Sequence, residues 1–272
     1  MLRSAAVSYS EIDTLLKTAG QLVVCTVVRT QGSVPRRVGA RLVVLPDGIT
    51  HGTVGGGLFE AKVVEDALVF LPARASQTKT YDFRPEGTSP EAFGAICGGR
   101  SDIFFEVVAP QDPLLIVGGG HCGRALARAA ALVGDFAVTL IDSRDSLTSG
   151  ADLPDTVTAA SADADFANIP ALIGPRSFVV LVTQGYTTDR DALRQVLAGG
   201  ETPAYIGMMG SRKKVWTVRE DLLAEGIAAE RLDAIHAPIG LEIGAETPAE
   251  IAIAILAEII AVRSATATKK LQ

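Results

Sequence analysis

The chain has 272 residues, 48% of them hydrophobic and 21% charged, which suits one large or two modest globular domains with a full core. A formal net charge of −6 argues against a general basic field for nucleic acid. No stretch reaches the ~18 uninterrupted apolar residues of a membrane span, and the opening MLRSAAVSYSEIDTLL lacks an apolar signal core, so a cytoplasmic protein with no membrane partner is expected.

Cys25, Cys97 and Cys122 are too far apart for a CxxC pair, and their odd number argues against a disulfide framework. Together with only His51, His121 and His236, they give no reason to expect a structural zinc site.

Ser10 is placed to cap a helix running to about Ala19, with Ile12, Leu15 and Leu16 on one face and Gly20 as its stop. Leu22 to Val28 reads as a β-branched strand with Cys25 inside it, a small core thiol. A Gly/Pro/Arg loop follows, Arg29 to Gly39, carrying Ser33, Arg36 and Arg37. Two adjacent arginines can grip phosphate in a fork that lysine cannot match, although a solvated loop has the same composition. Ala40–Leu45 and Ile49–Val54 form a hairpin around Pro46-Asp47-Gly48. Gly55-Gly56-Gly57 then opens a helix from Leu58 to about Phe70. This is a candidate anion cradle, or simply a tight strand-to-helix connection.

Residues 72–95 are polar and turn-rich, with a short strand at Tyr81–Phe83. Cys97 precedes Gly98-Gly99 and the strand Ser101–Val108. With little side-chain cover it is the better candidate for an accessible thiol able to meet a soft metal, the alternative being a small residue in a tight turn. Ala109–Pro113 reads as a linker, which puts the domains at 1–110 and 111–272.

Residues 114–142 contain an apolar strand, Gly118-Gly119-Gly120-His121-Cys122-Gly123, a helix to about Val133, a second strand and Asp142, in the register of the βαβ dinucleotide fingerprint. Gly118 allows the turn, Gly120 a close approach to pyrophosphate, and Gly123 helix–strand packing. Asp142 is placed for a ribose hydroxyl, and Arg144 continues a D-x-R pattern that blurs discrimination against a 2′-phosphate. The predicted fold is therefore α/β: a C-terminal Rossmann-like doubly wound parallel sheet with a smaller N-terminal α+β domain.

Residues 145–176 read as loop and short elements. Phe178–Val182 is a further core strand ending in the loop Thr183–Asp189, with a helix from Asp189 to Leu197. Gly207-Met208-Met209-Gly210-Ser211-Arg212-Lys213-Lys214 opens another helix. Three bases there oppose the helix dipole, which points to anion binding or to an ordinary solvated turn. His236 is a base or ligand candidate, or a hydrogen-bonded loop histidine. Thr247-Pro248-Ala249-Glu250 is a capping box leading an apolar helix, Ile251–Val262, suited to a domain or homodimer contact, with a frayed tail from Ser264.

These motifs resemble the XdhC/CoxI family, maturation factors of molybdenum hydroxylases such as xanthine dehydrogenase, over roughly residues 20–263. Gly32-Ser33-Val34-Pro35-Arg36, Gly55-Gly56-Gly57-Leu58-Phe59-Glu60 and Cys97-Gly98-Gly99 are similar to its N-terminal domain. Gly118–His121, Ile141–Arg144, Gly207–Lys213 and Pro238–Gly244 are similar to its Rossmann domain. One departure is Gln184, in a Thr-His…Asp region where many relatives carry histidine.

The resemblance implies a chaperone that binds molybdenum cofactor, protects it, assists its sulfuration by a cysteine desulfurase and delivers it to an apo molybdenum hydroxylase of the xanthine dehydrogenase type. The cofactor-binding residues it implies are Ser33, Arg36, Gly55, Gly56, Gly57, Glu60, Cys97, Gly118, Gly120, Gly123, Asp142, Ser211, Arg212 and Lys213, with Cys97 the candidate molybdenum contact. No base–nucleophile pair is evident. The rival reading is an NAD(P)-dependent oxidoreductase using NAD in the Rossmann domain; a third makes that domain purely structural, serving docking or dimerisation.

Overall fold

β1 (Leu22–Gln31) is the middle strand of an antiparallel sheet ordered β3-β2-β1-β5-β4, with β2 (Arg41–Val44), β3 (Thr50–Gly52), β4 (Gln77–Asp82) and β5 (Arg100–Val108). Strand side chains alternate between faces, and β1 is apolar on both because a helix covers each. Val23, Cys25 and Val27 join Phe59, Val63 and Phe70 of α2 (Gly57–Ala73). Leu22 and Val24 join Val7 and Val43, with Ile12, Leu15 and Leu16 of α1 (Tyr9–Ala19) packed against them. The computed structural model describes residues 7–84, 98–148 and 152–269. The chain divides into two units, Met1–Pro110 with Ala265–Gln272, and Gln111–Ser264.

Several boundaries differ from the sequence reading. Ser8, not Ser10, caps α1, accepting the Glu11 N–H. β1 continues to Gln31 through an irregularity between Val27 and Arg29, so the Gly/Pro/Arg loop starts at Gly32. Cys25 is fully buried, and burial followed by the nearby Asp66 charge raises its pKa, so it is a neutral core thiol. Cys97 lies outside the described residues.

In the second unit, β6 (Asp112–Val117), β7 (Phe136–Asp142), β8 (Val157–Ser161), β9 (Phe178–Leu181) and β10 (Tyr205–Met208) form a parallel sheet ordered β10-β9-β6-β7-β8. The order reverses between β6 and β9, which makes the sheet doubly wound. One face packs on α3 (His121–Val133) and α8 (Pro248–Lys269), the other on α5 (Tyr186–Ala198) and α6 (Arg212–Ala224). The short helices α4 (Asp145–Thr148) and α7 (Ala229–Asp233) fill connections.

Asp112 and Pro113, read as linker, begin β6. Proline is tolerated at a strand's start because the ladder there needs no donor from it. β8 was hidden in the 145–176 loop because four of its five residues, Thr158 to Ser161, are exposed, leaving no alternation to read. α8 continues to Lys269, past the expected fraying point. No described helix is long and apolar enough to cross a membrane.

Candidate functional site

In the N-terminal unit three separated motifs meet. A Cβ on Gly55 would lie 2.4 Å from the Pro35 side chain, and one on Gly99 would lie 2.4 Å from Ser33 O and 2.5 Å from Gln31 O. The Gly32–Gly39 loop is thus pressed against both the Gly55–Gly57 turn and the start of β5, at distances only glycine permits. Gly55, Gly56 and Gly57 all have positive φ (149°, 78° and 63°), a run that L side chains resist. The triplet is therefore a backbone requirement first, and it leaves the start of α2 without a side-chain cap.

Glu60 is already engaged here. Its Oε2 accepts from Thr53 Oγ1 (2.5 Å), Val54 N (3.2 Å) and Gly56 N (3.2 Å), so the carboxylate folds back to hold the turn. Its charge sits at the helix N-terminus as a built-in anion that holds the turn. Ser33, Arg36 and Arg37 are exposed, and among the described residues neither guanidinium group has a hydrogen-bond or ion-pair partner. This loop therefore presents two unneutralised guanidinium groups beside a glycine turn.

In the Rossmann unit the fingerprint glycines separate by role. A Cβ on Gly123 would fall 1.8 Å from Gly118 O, and Gly118 itself has φ 122° and abuts Val182 O. Both are required by packing. A Cβ on Gly120 would meet nothing within 4 Å, so the space before the start of α3 is open, as close approach of a phosphate requires. Cys122, in the first turn of α3, is half-buried, and burial raises its pKa.

Asp142 is buried at the end of β7 and surrounded by donors. Oδ1 accepts Arg144 N (2.9 Å) and Nε (2.9 Å), and Oδ2 accepts Gly119 N (2.8 Å) and Arg144 Nη2 (2.8 Å). Burial alone would raise its pKa, but the Arg144 guanidinium and the two N–H groups outweigh it and hold the carboxyl below the usual range. Arg144 Nη1 also donates to Gln184 Oε1 (2.7 Å), bridging the β7 and β9 loops. The crevice lined by Gly118, Asp142, Arg144, Thr183, Gln184 and Thr188 encloses only about 10 Å³.

At the start of α6 the candidate residues face solvent rather than the crevice. Ser211 Oγ caps the helix by accepting Lys214 N (3.3 Å). Arg212 is 87% exposed and lies 3.5 Å from Glu242; Lys213 is exposed too. None of the three lines the crevice. The base with a defined partner is Lys214, which pairs with fully buried Asp189 and donates to Met209 O (3.1 Å). Asp189 Oδ1 in turn accepts Thr183 Oγ1 (2.6 Å). His236 is a bonded loop histidine: Nδ1 lies 3.0 Å from Glu258 Oε1, which also accepts Tyr205 OH (2.6 Å). Sequence spacing concealed the Lys214–Asp189 and His236–Glu258 pairs, because each joins residues more than 20 positions apart.

Residues 114–259 match the family model described as the XdhC Rossmann domain, and residues 15–82 that of the XdhC and CoxI family. The chain belongs to the XdhC family. Among its relatives, the uncharacterised protein YqeB of Escherichia coli is 39% identical over 241 residues, covering 88% of this chain and 43% of YqeB. The chain thus spans less than half the length of that relative. A Bacillus subtilis protein, named as a probable subunit of xanthine dehydrogenase, is 22% identical across an alignment of 334 positions, covering 95% of this chain and 98% of that protein. A solved structure from Bacillus halodurans, described as a xanthine dehydrogenase, is 21% identical with a TM-score of 0.49 and covers 93% of this chain and 94% of its own.

Proposed function

We propose that this XdhC-family protein binds molybdenum cofactor, shields it during sulfuration by a cysteine desulfurase and hands it to a molybdenum hydroxylase of the xanthine dehydrogenase type. Membership of the family over both units carries the reading, and a relative named as a probable subunit of xanthine dehydrogenase supports the choice of client. The N-terminal loop is compatible with the cargo. Molybdopterin ends in a phosphate, and the Arg36 and Arg37 guanidinium groups, without a side-chain partner among the described residues, supply the fork that a phosphate needs beside the turn that Glu60 holds. Ser33 and Gly55–Gly57 shape that surface. Cys97 is kept from the sequence as the thiol for molybdenum. Gly118, Gly120, Gly123 and Asp142 belong to a separate nucleotide-type crevice, and Ser211, Arg212 and Lys213 are the weakest members of the set. A homodimer and a cytoplasmic setting complete the proposal.

An NAD-dependent oxidoreductase has the fingerprint in its favour, but it gives the N-terminal unit no purpose. The discriminating experiment is to isolate the protein with molybdenum cofactor present and assay transfer to an apo-hydroxylase. Cys97→Ala and Arg36→Ala are expected to reduce retained cofactor. Unchanged retention in both variants would remove the N-terminal site from the account.

A further inference from the structure

The acid that reads ribose in a dinucleotide fold works by accepting hydroxyl protons on its carboxylate oxygens. An ionised carboxylate has about four acceptor positions. In this chain all four carry donors: Arg144 N and Nε on Oδ1, Gly119 N and Arg144 Nη2 on Oδ2. Two of the four belong to one side chain, that of Arg144, which is 41% exposed. Its remaining Nη1 holds Gln184 across the mouth of the crevice. The enclosed space is about 10 Å³, room for about one water and no nucleotide. Yet the wall behind is built for a phosphate, with open space before Gly120 and an uncapped α3 N-terminus.

We propose that Arg144 is an autoinhibitory latch on the Rossmann crevice: bridging Asp142 to Gln184, it closes the site, and a nucleoside diphosphate enters only when the guanidinium swings out and frees Asp142 for the ribose. The latch concerns this crevice alone and stands or falls separately from cofactor carriage by the N-terminal loop. No covalent step is involved, and opening exchanges two guanidinium bonds on Asp142 for two ribose hydroxyl bonds.

The sign of the effect distinguishes a latch from a ligand contact. Removing a cation beside a phosphate site ordinarily weakens anion binding. Removing a latch strengthens it, because apparent affinity falls by the fraction of molecules that are open. Titration calorimetry on the full 272-residue chain with ADP-ribose, NAD and NADP tests this in wild type, Arg144→Ala, Arg144→Lys and Gln184→Ala. Arg144→Ala keeps the backbone N–H on Oδ1, and Gly119 N stays on Oδ2, so Asp142 is not left bare.

The latch predicts that Arg144→Ala binds ADP-ribose and NAD at least tenfold more tightly than wild type, about 1.4 kcal/mol. Arg144→Lys, which cannot form the fork, also gains, and Gln184→Ala gains less. Adding Gly120→Ala to Arg144→Ala should abolish the gain and thereby place it in the crevice. Wild-type binding that Arg144→Ala leaves equal or weakens overturns the proposal. So does a preference for NADP that is lost with Arg144, and so does absence of binding in wild type and Arg144→Ala alike with the fold intact by circular dichroism.

Discussion

Replacing Glu60 by alanine tests whether its carboxylate is a structural clasp. The change removes one oxygen that accepts three donors, Thr53 Oγ1, Val54 N and Gly56 N. Val54 is fully buried, so its N–H has no ready access to water; leaving such a donor unpaired costs about 1–3 kcal/mol. Gly56 is half-buried, and water can replace part of its bond, so its share is about 0.5–1 kcal/mol. The Thr53 hydroxyl also touches Gly55 N (3.1 Å) and can reorient at little cost. The sum is about 1.5–4 kcal/mol, localised to the turn before α2. Glu60→Gln keeps one acceptor without the charge, so about half of that loss is expected. Urea unfolding measures the total, and amide hydrogen exchange at Val54 and Gly56 reads the location directly, with protection falling there before it falls in β1. A Glu60→Ala protein with wild-type midpoint and unchanged exchange at both amides would refute the clasp and return Glu60 to the ligand-contact role.

Gly123→Ala should cost more than about 3 kcal/mol, because its Cβ would strike the Gly118 carbonyl, which cannot move without breaking the fingerprint turn, whereas Gly120→Ala should cost under about 1 kcal/mol. Equal urea midpoints for the two variants would contradict the division of glycine roles. Cys25→Ala should destabilise by about 1–1.5 kcal/mol, and peptide mapping should find Cys25 unlabelled by a thiol reagent until urea is added; native-state labelling at a free-thiol rate would show that it is not core. Because the Asp142 carboxyl titrates lower folded than unfolded, its stabilisation is full above about pH 5 and is lost as pH falls through the folded value. The stability gap between wild type and Asp142→Asn should therefore be flat from about pH 5 to 8 and shrink below about pH 4; a gap that widens in acid would reverse the assigned sign.

Much of the fold was legible because burial leaves a period in the sequence. β9 is an unbroken apolar run, β1 is apolar from Leu22 to Val28 apart from Thr26, and the Gly118–Asp142 stretch combines strand, turn, helix and acid in one register. β8 left no such trace, since only Val157 faces inward. The glycine triplet marked a special backbone, but its sign was ambiguous. Positive φ makes glycine necessary with or without a ligand, and the inward turn of Glu60 depends on a strand end and a helix start meeting in space. Asp142 and Arg144 stand out as a D-x-R pair, yet their closure onto each other and onto Gln184, 40 positions away, is a tertiary event. The α6 bases show the same limit: Arg212 and Lys213 are exposed, while Lys214, which pairs with buried Asp189, looks no different in sequence.

The central claim is that this chain carries molybdenum cofactor through its N-terminal loop. The direct measurement is molybdenum and released pterin per polypeptide after isolation from cells that make the cofactor, followed by reactivation of an apo-hydroxylase. The account predicts stoichiometric cofactor on the wild type, transfer that restores hydroxylase activity, and loss of both in Arg36→Ala/Arg37→Ala with the fold retained. Wild-type protein that holds neither molybdenum nor pterin and reactivates nothing would contradict it.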